Sequence, residues 1–239
     1  MPCPGSVDSR GCSRVTTAPS SPAWKAVLFD LDGTLADTIE LILLSYRHTM
    51  RTHLGEAPPD ERFLATIGIP LPRQLADFAR DAAEAERMRT TYVEYQREIH
   101  DDLVQPFPGA ASALATLRER GTSLAVVTSK RSGVARRTLE CCELWQSLDT
   151  VVCADEVERP KPDPEPVHLA LDRLGLAHEA NQVLFVGDSP FDLRAGRAAG
   201  THTAAALWGP FSREVLAAEE PDFYLSDLEG VLHTSPSWP

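Results

Sequence analysis

Short apolar runs, each closing on a polar or acidic residue, alternate along most of this chain with longer stretches of helical periodicity. Ala26-Val27-Leu28-Phe29 runs into Asp30, Leu124-Ala125-Val126-Val127 into Thr128-Ser129, and Val183-Leu184-Phe185-Val186-Gly187 into Asp188. Unbroken apolar runs of this length suit strands buried on both faces. They predict strands at about 25–30, 123–128 and 182–187, with further strands at 149–153, 203–206 and 222–225. Helical patterns fill the intervals at 109–120, 131–141, 164–174 and 190–199. The first and third of these end at Gly121 and Gly175, residues suited to close a helix. Such alternation predicts an α/β fold, a Rossmann-like parallel sheet with helices on both faces.

One interval breaks the rhythm. After the first strand no strand signal returns until Ser123. Residues 38–54 carry Ile39, Leu41, Ile42, Leu43, Tyr46 and Met50 on one broad side, and helical stretches follow at about 60–67, 71–83 and 84–100. Asp37-Thr38-Ile39-Glu40 fits a capping box with Asp37 at the N-cap. Gln105-Pro106-Phe107-Pro108-Gly109 is a stiff return to the alternating pattern. The expected organisation is a core from 23–35 and 106–232, with an all-helical cap domain inserted over 36–105. Residues 1–22, rich in Pro, Ser, Gly and Thr, read as a disordered tail or an upstream start. A transit peptide is the weaker reading, given Asp8 and the missing amphipathic pattern.

The 239 residues, 43% of them hydrophobic, are enough for a proper core and show no internal repeat. The formal net charge of -12 argues against a nucleic-acid or anionic-membrane partner, and no apolar stretch approaches a membrane span. An anionic substrate would therefore need a local positive site. Cys3, Cys12, Cys141, Cys142 and Cys153, odd in number and unevenly spaced, read as reduced thiols of a cytoplasmic protein rather than a disulfide framework. With no heptad or exposed apolar stripe, a monomer or weak dimer is expected.

Chemistry gathers where the strands end. Asp30 and Asp32 are two apart, so an extended backbone puts them on one side, and Gly33 permits a tight turn close to a ligand. An aspartate there can attack phosphorus, while a second carboxyl protonates the leaving group and then deprotonates water. Asp188 closes another strand, with Asp192 one helical turn on. Asp30 and Asp188 suit the oxygen-rich coordination of Mg²⁺, with Asp192 ligating through water or holding the Asp188 loop. Asp188 or Ser189 also suits the cap of the helix that Pro190 begins. Thr128 and Ser129, a hydroxyl pair ahead of a helix start, suit a phosphate, and taken singly suit a helix cap better. The chain holds only three lysines. Lys161, fixed between Pro160 and Pro162, suits compensation of an aspartate and a phosphate. Lys130 reads as a surface residue. His48 and His53 read as surface or packing residues, since no histidine pair has metal spacing. In the segment 66–73, Arg73 is a candidate substrate contact on a turn-rich loop able to close over the site, against the plainer reading that Pro70 starts the next helix and Arg73 is solvated.

These elements, Asp30-x-Asp32-Gly33-Thr34, Thr128, Pro-Lys161-Pro and Gly187-Asp188-x3-Asp192, resemble in type and order those of the haloacid dehalogenase superfamily. The resemblance covers about 24–232 and falls nearest the phosphoglycolate phosphatase-like enzymes, a subgroup that includes a cytosolic pyrophosphatase. It implies Asp30 as nucleophile and Asp32 as general acid/base. It also implies Gly33, Thr34, Thr128, Ser129 and Lys161 around the phosphate, and Mg²⁺ on Asp30, Asp188 and the Asp32 carbonyl. A carboxylate at Asp32 speaks against dehalogenation. The absence of lysine from 36–107 speaks against a phosphonatase, and with Thr34 against a sugar-phosphate mutase. The expected activity is hydrolysis of a small phosphorylated metabolite, an ester such as phosphoglycolate or otherwise pyrophosphate, a nucleotide or a sugar phosphate. A regulatory module that keeps the site without turnover is the non-enzymatic alternative.

Overall fold

The computed structural model describes residues 24–236. Six strands form one parallel sheet: β1 (Ala26–Phe29), β4 (Ser123–Val127), β5 (Thr150–Val152), β6 (Val183–Gly187), β7 (His202–Ala206) and β8 (Phe223–Leu225). Their order is β5-β4-β1-β6-β7-β8, with Ala26 level with both Ser123 and Val183. From β1 the chain builds outward first to one side and later to the other. A crevice therefore opens beyond the carboxyl ends of β1, β4 and β6, where an open α/β sheet places its ligands.

The apolar runs alternate between two cores, as a period of two requires. Val27, Phe29, Leu124, Val126, Leu184 and Val186 pack on one face with α5 (Ala110–Glu119) and α6 (Ser132–Cys141). Ala26, Leu28, Ala125, Val127, Val183 and Phe185 pack on the other with α7 (Glu165–Arg173) and α8 (Pro190–Ala198). Cys142 is buried in the first core, and burial pushes its thiol up to about 12, so it behaves as a small apolar residue.

The long helical interval is α1 (Ile39–Leu54), α2 (Asp60–Leu64), α3 (Leu71–Ala76) and α4 (Ala82–Leu103). These helices close on a third apolar cluster, in which Tyr46 and Phe63 stack with centroids 4.4 Å apart among Ile42, Met50, Leu75, Met88 and Tyr92. Of the two histidines read as packing residues, His48 stacks on Tyr95 and His53 hydrogen-bonds Thr91.

Several elements differ from expectation. Strands do occur before Ser123: β2 (Ala36–Asp37) and β3 (Gln105–Pro106) pair antiparallel at the neck of the helical insertion. Two residues per strand are too few to display a period. Pairing also holds Asp37 extended and exposed, so Thr38, not Asp37, is the N-cap of α1 and no side chain caps that end. The expected helix 71–83 stops at Ala76, because Asp81 accepts the Glu84 amide at 2.7 Å and starts α4 afresh. A short helix, α9 (Arg213–Ala217), follows Ser212 where none was expected; five residues carry no readable periodicity. The expected tail, 1–22, lies outside the described residues. Among the described residues no helix is long and apolar enough to cross a membrane.

Candidate active site

Immediately past β1 the chain makes a tight turn in which the Leu31 carbonyl accepts the amides of Leu35 and Ala36 at 3.0 and 2.9 Å. Gly33 has φ +77°, and a Cβ there would lie 2.5 Å from Asp188 Oδ2, so glycine is required twice over. The turn seats Asp30 against the ends of β4 and β6. Lys161, on the loop between β5 and α7, reaches the same point with its side chain only 1% exposed. Its ammonium donates to Asp30 Oδ1 at 2.8 Å, Asp192 Oδ1 at 2.6 Å and the Val127 carbonyl at 3.0 Å. All three of its protons are thus used.

Asp192 also brackets the loop before α8. Its Oδ2 accepts the Ser189 amide at 3.1 Å and the Ser189 hydroxyl at 2.5 Å, while Ser189 caps the helix in return. Asp188 receives the Thr34 hydroxyl on Oδ1 at 2.6 Å. The Trp208 indole donates to the Thr34 carbonyl at 3.0 Å. Gly209 presses its Cα against Asp188 so closely that any side chain would strike it. Trp208 and Gly209 were not singled out from the sequence, and no local signal there marks their approach to Asp188.

One buried ammonium faces three buried carboxylates. Asp30, Asp188 and Asp192 each offer an oxygen, all within 4.8 Å of one another. Burial, then the charge of Asp192, pushes the Asp30 carboxyl up to about 7 against the pull of Lys161. Burial, then Asp30 and Asp192, pushes Asp188 well above the usual carboxylate range. Lys161 stays charged: burial alone would lower its pKa, and Asp192 and Asp30 outweigh burial and raise it. Asp188 Oδ2 is buried with no hydrogen-bond partner. An orphaned carboxylate oxygen beside surplus negative charge fits a small hard cation that takes oxygen ligands.

Asp32 sits at the outer edge of this cluster, its Oδ1 accepting from the Thr38 hydroxyl and from Lys130. Lys130 is therefore no surface residue; its side chain is 11% exposed and ion-paired to Asp32. The signal was available, since Lys130 directly follows Thr128-Ser129 at the carboxyl edge of the sheet in a chain with few lysines. Thr128 is buried, its hydroxyl accepting the Lys130 amide at 3.1 Å. The Ser129 hydroxyl, in the cavity lining, donates at 2.5 Å to the carbonyl of Gly68, in the helical insertion. Gly68, with φ +105°, also packs against Ser189 and Phe191, where a Cβ would lie 2.7 Å from Ser189 Oγ.

The insertion thus roofs a cavity of about 740 Å³ with Asp30 and Asp32 in its lining. Ile67 to Pro72 and one face of α4 supply the roof, and the start of α6 supplies a wall. Arg73 is exposed on α3 and is not part of this lining, because its neighbour Gln74 turns inward and donates to the Ile69 carbonyl at 2.6 Å.

Lys161→Met should cost about 3–5 kcal/mol of folding free energy, since Asp30 and Asp192 would be left buried without their cation. Urea unfolding measures this; an unchanged midpoint would mean that the ion pairs contribute nothing. Ser129→Ala should change the unfolding free energy by no more than about 1 kcal/mol while speeding hydrogen exchange of the Thr66–Ile69 amides, read by mass spectrometry.

The chain matches the family model of haloacid dehalogenase-like hydrolases over residues 27–206. It is 38% identical over 208 residues to Pyrophosphatase PpaX of Bacillus velezensis, covering 87% of this chain and 94% of the relative. Its fold is that of the crystal structure of a predicted phosphoglycolate phosphatase from Haemophilus somnus, with TM-score 0.80, 24% identity, and 88% and 97% of the two chains covered. A haloacid dehalogenase-like family hydrolase from Streptococcus pneumoniae matches with TM-score 0.75 and 26% identity over 87% of this chain and 97% of that one. With the matched model spanning the catalytic strands and their loops, this chain belongs to the haloacid dehalogenase-like hydrolases, as an enzyme of the phosphatase type.

Proposed function

We propose that this enzyme is a Mg²⁺-dependent hydrolase of small phosphate esters, close in action to phosphoglycolate phosphatases, that works through an aspartyl-phosphate. The carrying observation is the buried Lys161–Asp30–Asp192 bridge next to the orphaned Asp188 oxygen, beside a cavity that Asp32 also lines. In this reading an Asp30 carboxylate oxygen bonds to phosphorus as the bond to the leaving oxygen breaks. Asp32 gives its proton to that oxygen. Asp32 then takes a proton from water, whose oxygen attacks phosphorus, releasing inorganic phosphate and the free Asp30 carboxylate. Lys161 offsets the charge of Asp30 and of the arriving phosphoryl group. Gly33, Thr34 and Thr128 shape the phosphate seat, Thr34 through its hold on Asp188. Asp30, Asp188 and the Asp32 carbonyl would hold the Mg²⁺, which when bound supplies further charge neutralisation at the phosphoryl oxygens. The helical insertion acts as the cap, closing the site from water.

A second reading, hydrolysis of inorganic pyrophosphate, is supported by the relatives named as pyrophosphatases at 36–38% identity. The two are separated by phosphate release from a panel of monoesters and from pyrophosphate, with Mg²⁺ or with chelator. Asp30→Asn should lower turnover on the best substrate by on the order of a thousandfold or more with the fold intact. Full activity in that variant would refute the nucleophile.

Metal binding should follow the carboxyl shifts. Asp30 is raised from 3.8 to about 7, so the folded, metal-free protein holds a proton there that the unfolded chain releases. Its contribution to stability is therefore lost as pH rises from about 4 to about 7. Mg²⁺ competes with that proton and should raise the melting temperature more at pH 8 than at pH 5.5. Thermal unfolding with and without Mg²⁺ tests this, and an equal gain at both values would contradict it.

A further inference from the structure

Trp208 lies outside the cavity lining, yet it is tied to the carboxylate cluster. Its indole N–H can only donate, and among the described residues it has one acceptor, the Thr34 carbonyl at 3.0 Å. No backbone amide among the described residues bonds that carbonyl. Thr34 is itself buried, and its hydroxyl donates to Asp188 Oδ1 at 2.6 Å. The indole, Thr34 and Asp188 therefore form one chain of hydrogen bonds. Its consequence falls on the other carboxylate oxygen. Asp188 Oδ2 has no hydrogen-bond partner, and a Cβ at Gly33 or at Gly209 would lie 2.5 or 2.8 Å from it. With Oδ1 bonded and a glycine backbone close on either side, the free oxygen is held in one orientation.

Trp208 is fixed in its turn. The preceding Leu207 amide donates to the Leu225 carbonyl at 3.0 Å, at the end of β8. The Trp208 ring meets Phe107 edge-on beside β3, with centroids 6.4 Å apart. Phe211 packs on the apolar cluster of the insertion and on the cluster of Leu193, Ala205 and Leu216. The loop after β7 is thus anchored to the sheet, to the neck and to the insertion, and a donor on such a loop holds its acceptor without further ordering. Packing alone does not call for an indole here: phenylalanine would keep the edge contact with Phe107 and leave the Thr34 carbonyl without its donor.

We propose that Trp208 is a positioning residue for the metal, which through Thr34 aims the free oxygen of Asp188 and so sets the affinity of the site for a hard divalent cation. Groups that orient a metal's ligands tune its affinity although they never touch it. The inference rests on the reading of Asp188 as a Mg²⁺ ligand and adds to it a residue from another loop.

The test reads metal binding without substrate. Mn²⁺ stands in for Mg²⁺, since both take oxygen ligands, and the electron paramagnetic resonance signal of free Mn²⁺ gives its Kd for the full chain freed of metal by chelator. Trp208→Phe should weaken Mn²⁺ binding about fivefold, as the loss of one hydrogen bond implies, and Thr34→Val about tenfold or more. The double variant should bind no more weakly than Thr34→Val, because the indole acts through Thr34. Val231→Ala, a packing loss in the core on which Trp208 also rests, should lower the melting temperature and leave the Kd unchanged. Should Thr34→Val fail to fold, Trp208→Phe against Val231→Ala still decides. An unchanged Kd in Trp208→Phe overturns the inference, as do additive losses in the double variant or an equal loss in Val231→Ala. No Mn²⁺ binding by the wild type, or binding undiminished in Asp188→Asn, overturns the reading of Asp188 as a ligand, and this inference with it.

Discussion

The site is organised around a single buried ammonium. Lys161 spends its three protons on Asp30, on Asp192 and on the last carbonyl of β4, so one side chain ties the ends of β1 and β4 to the start of α8. Without that cation, two carboxylates would have to lose their hydration with no partner, at a cost of several kcal/mol each. The cluster holds three carboxyls against one ammonium, and the raised Asp30 and Asp188 carboxyls and the orphaned Asp188 oxygen suit a further cation at this point. The fold contributes rigidity instead of neutrality: Gly33 and Gly209 crowd Asp188, and Ser189 fixes Asp192.

The helical insertion depends on the same floor. Its turn at Gly68 rests on Ser189 and Phe191 of the Asp192 bracket and is hydrogen-bonded by Ser129, which follows Thr128 at the end of β4. The loops that follow β4 and β6 therefore also hold the roof over the cavity. The neck is only the β2–β3 pair, so contacts at the roof edge and along α4 and α6 fix where the insertion sits.

Much of this was legible in the sequence, for identifiable reasons. Strands buried on both faces leave an unbroken apolar run, and runs that end in Asp30, Thr128 and Asp188 had to meet at one sheet edge. Lys161 stood out because two prolines hold it. What escaped notice lacked a local pattern. Two-residue strands such as Ala36–Asp37 have no period, and a five-residue helix has no face. Asp81 has the chemistry of a cap, but apolar periodicity alone puts the break between the two helical stretches at 83/84, three residues past it. The bond from the Ser129 hydroxyl to a carbonyl 61 residues away in the chain has no local sequence signal at all. Arg73 had the right charge on the right segment, but helix phase turned Gln74 inward instead. Lys130 shows the limit most clearly: the reasoning applied to Lys161 was equally open to it, and only its lack of flanking prolines made it look like a surface residue.

Charge in this molecule is partitioned by depth. The protein as a whole is acidic, which slows the approach of anions from bulk solvent. Inside the cavity the lining arginines and Lys130 reverse the sign, and at the floor it reverses again, where carboxylates outnumber Lys161. On the proposed reading, an anionic ester would settle over Asp30 only when cations at the floor balanced the carboxylates there, and the same excess of negative charge would repel inorganic phosphate once the Asp30 carboxylate was free again.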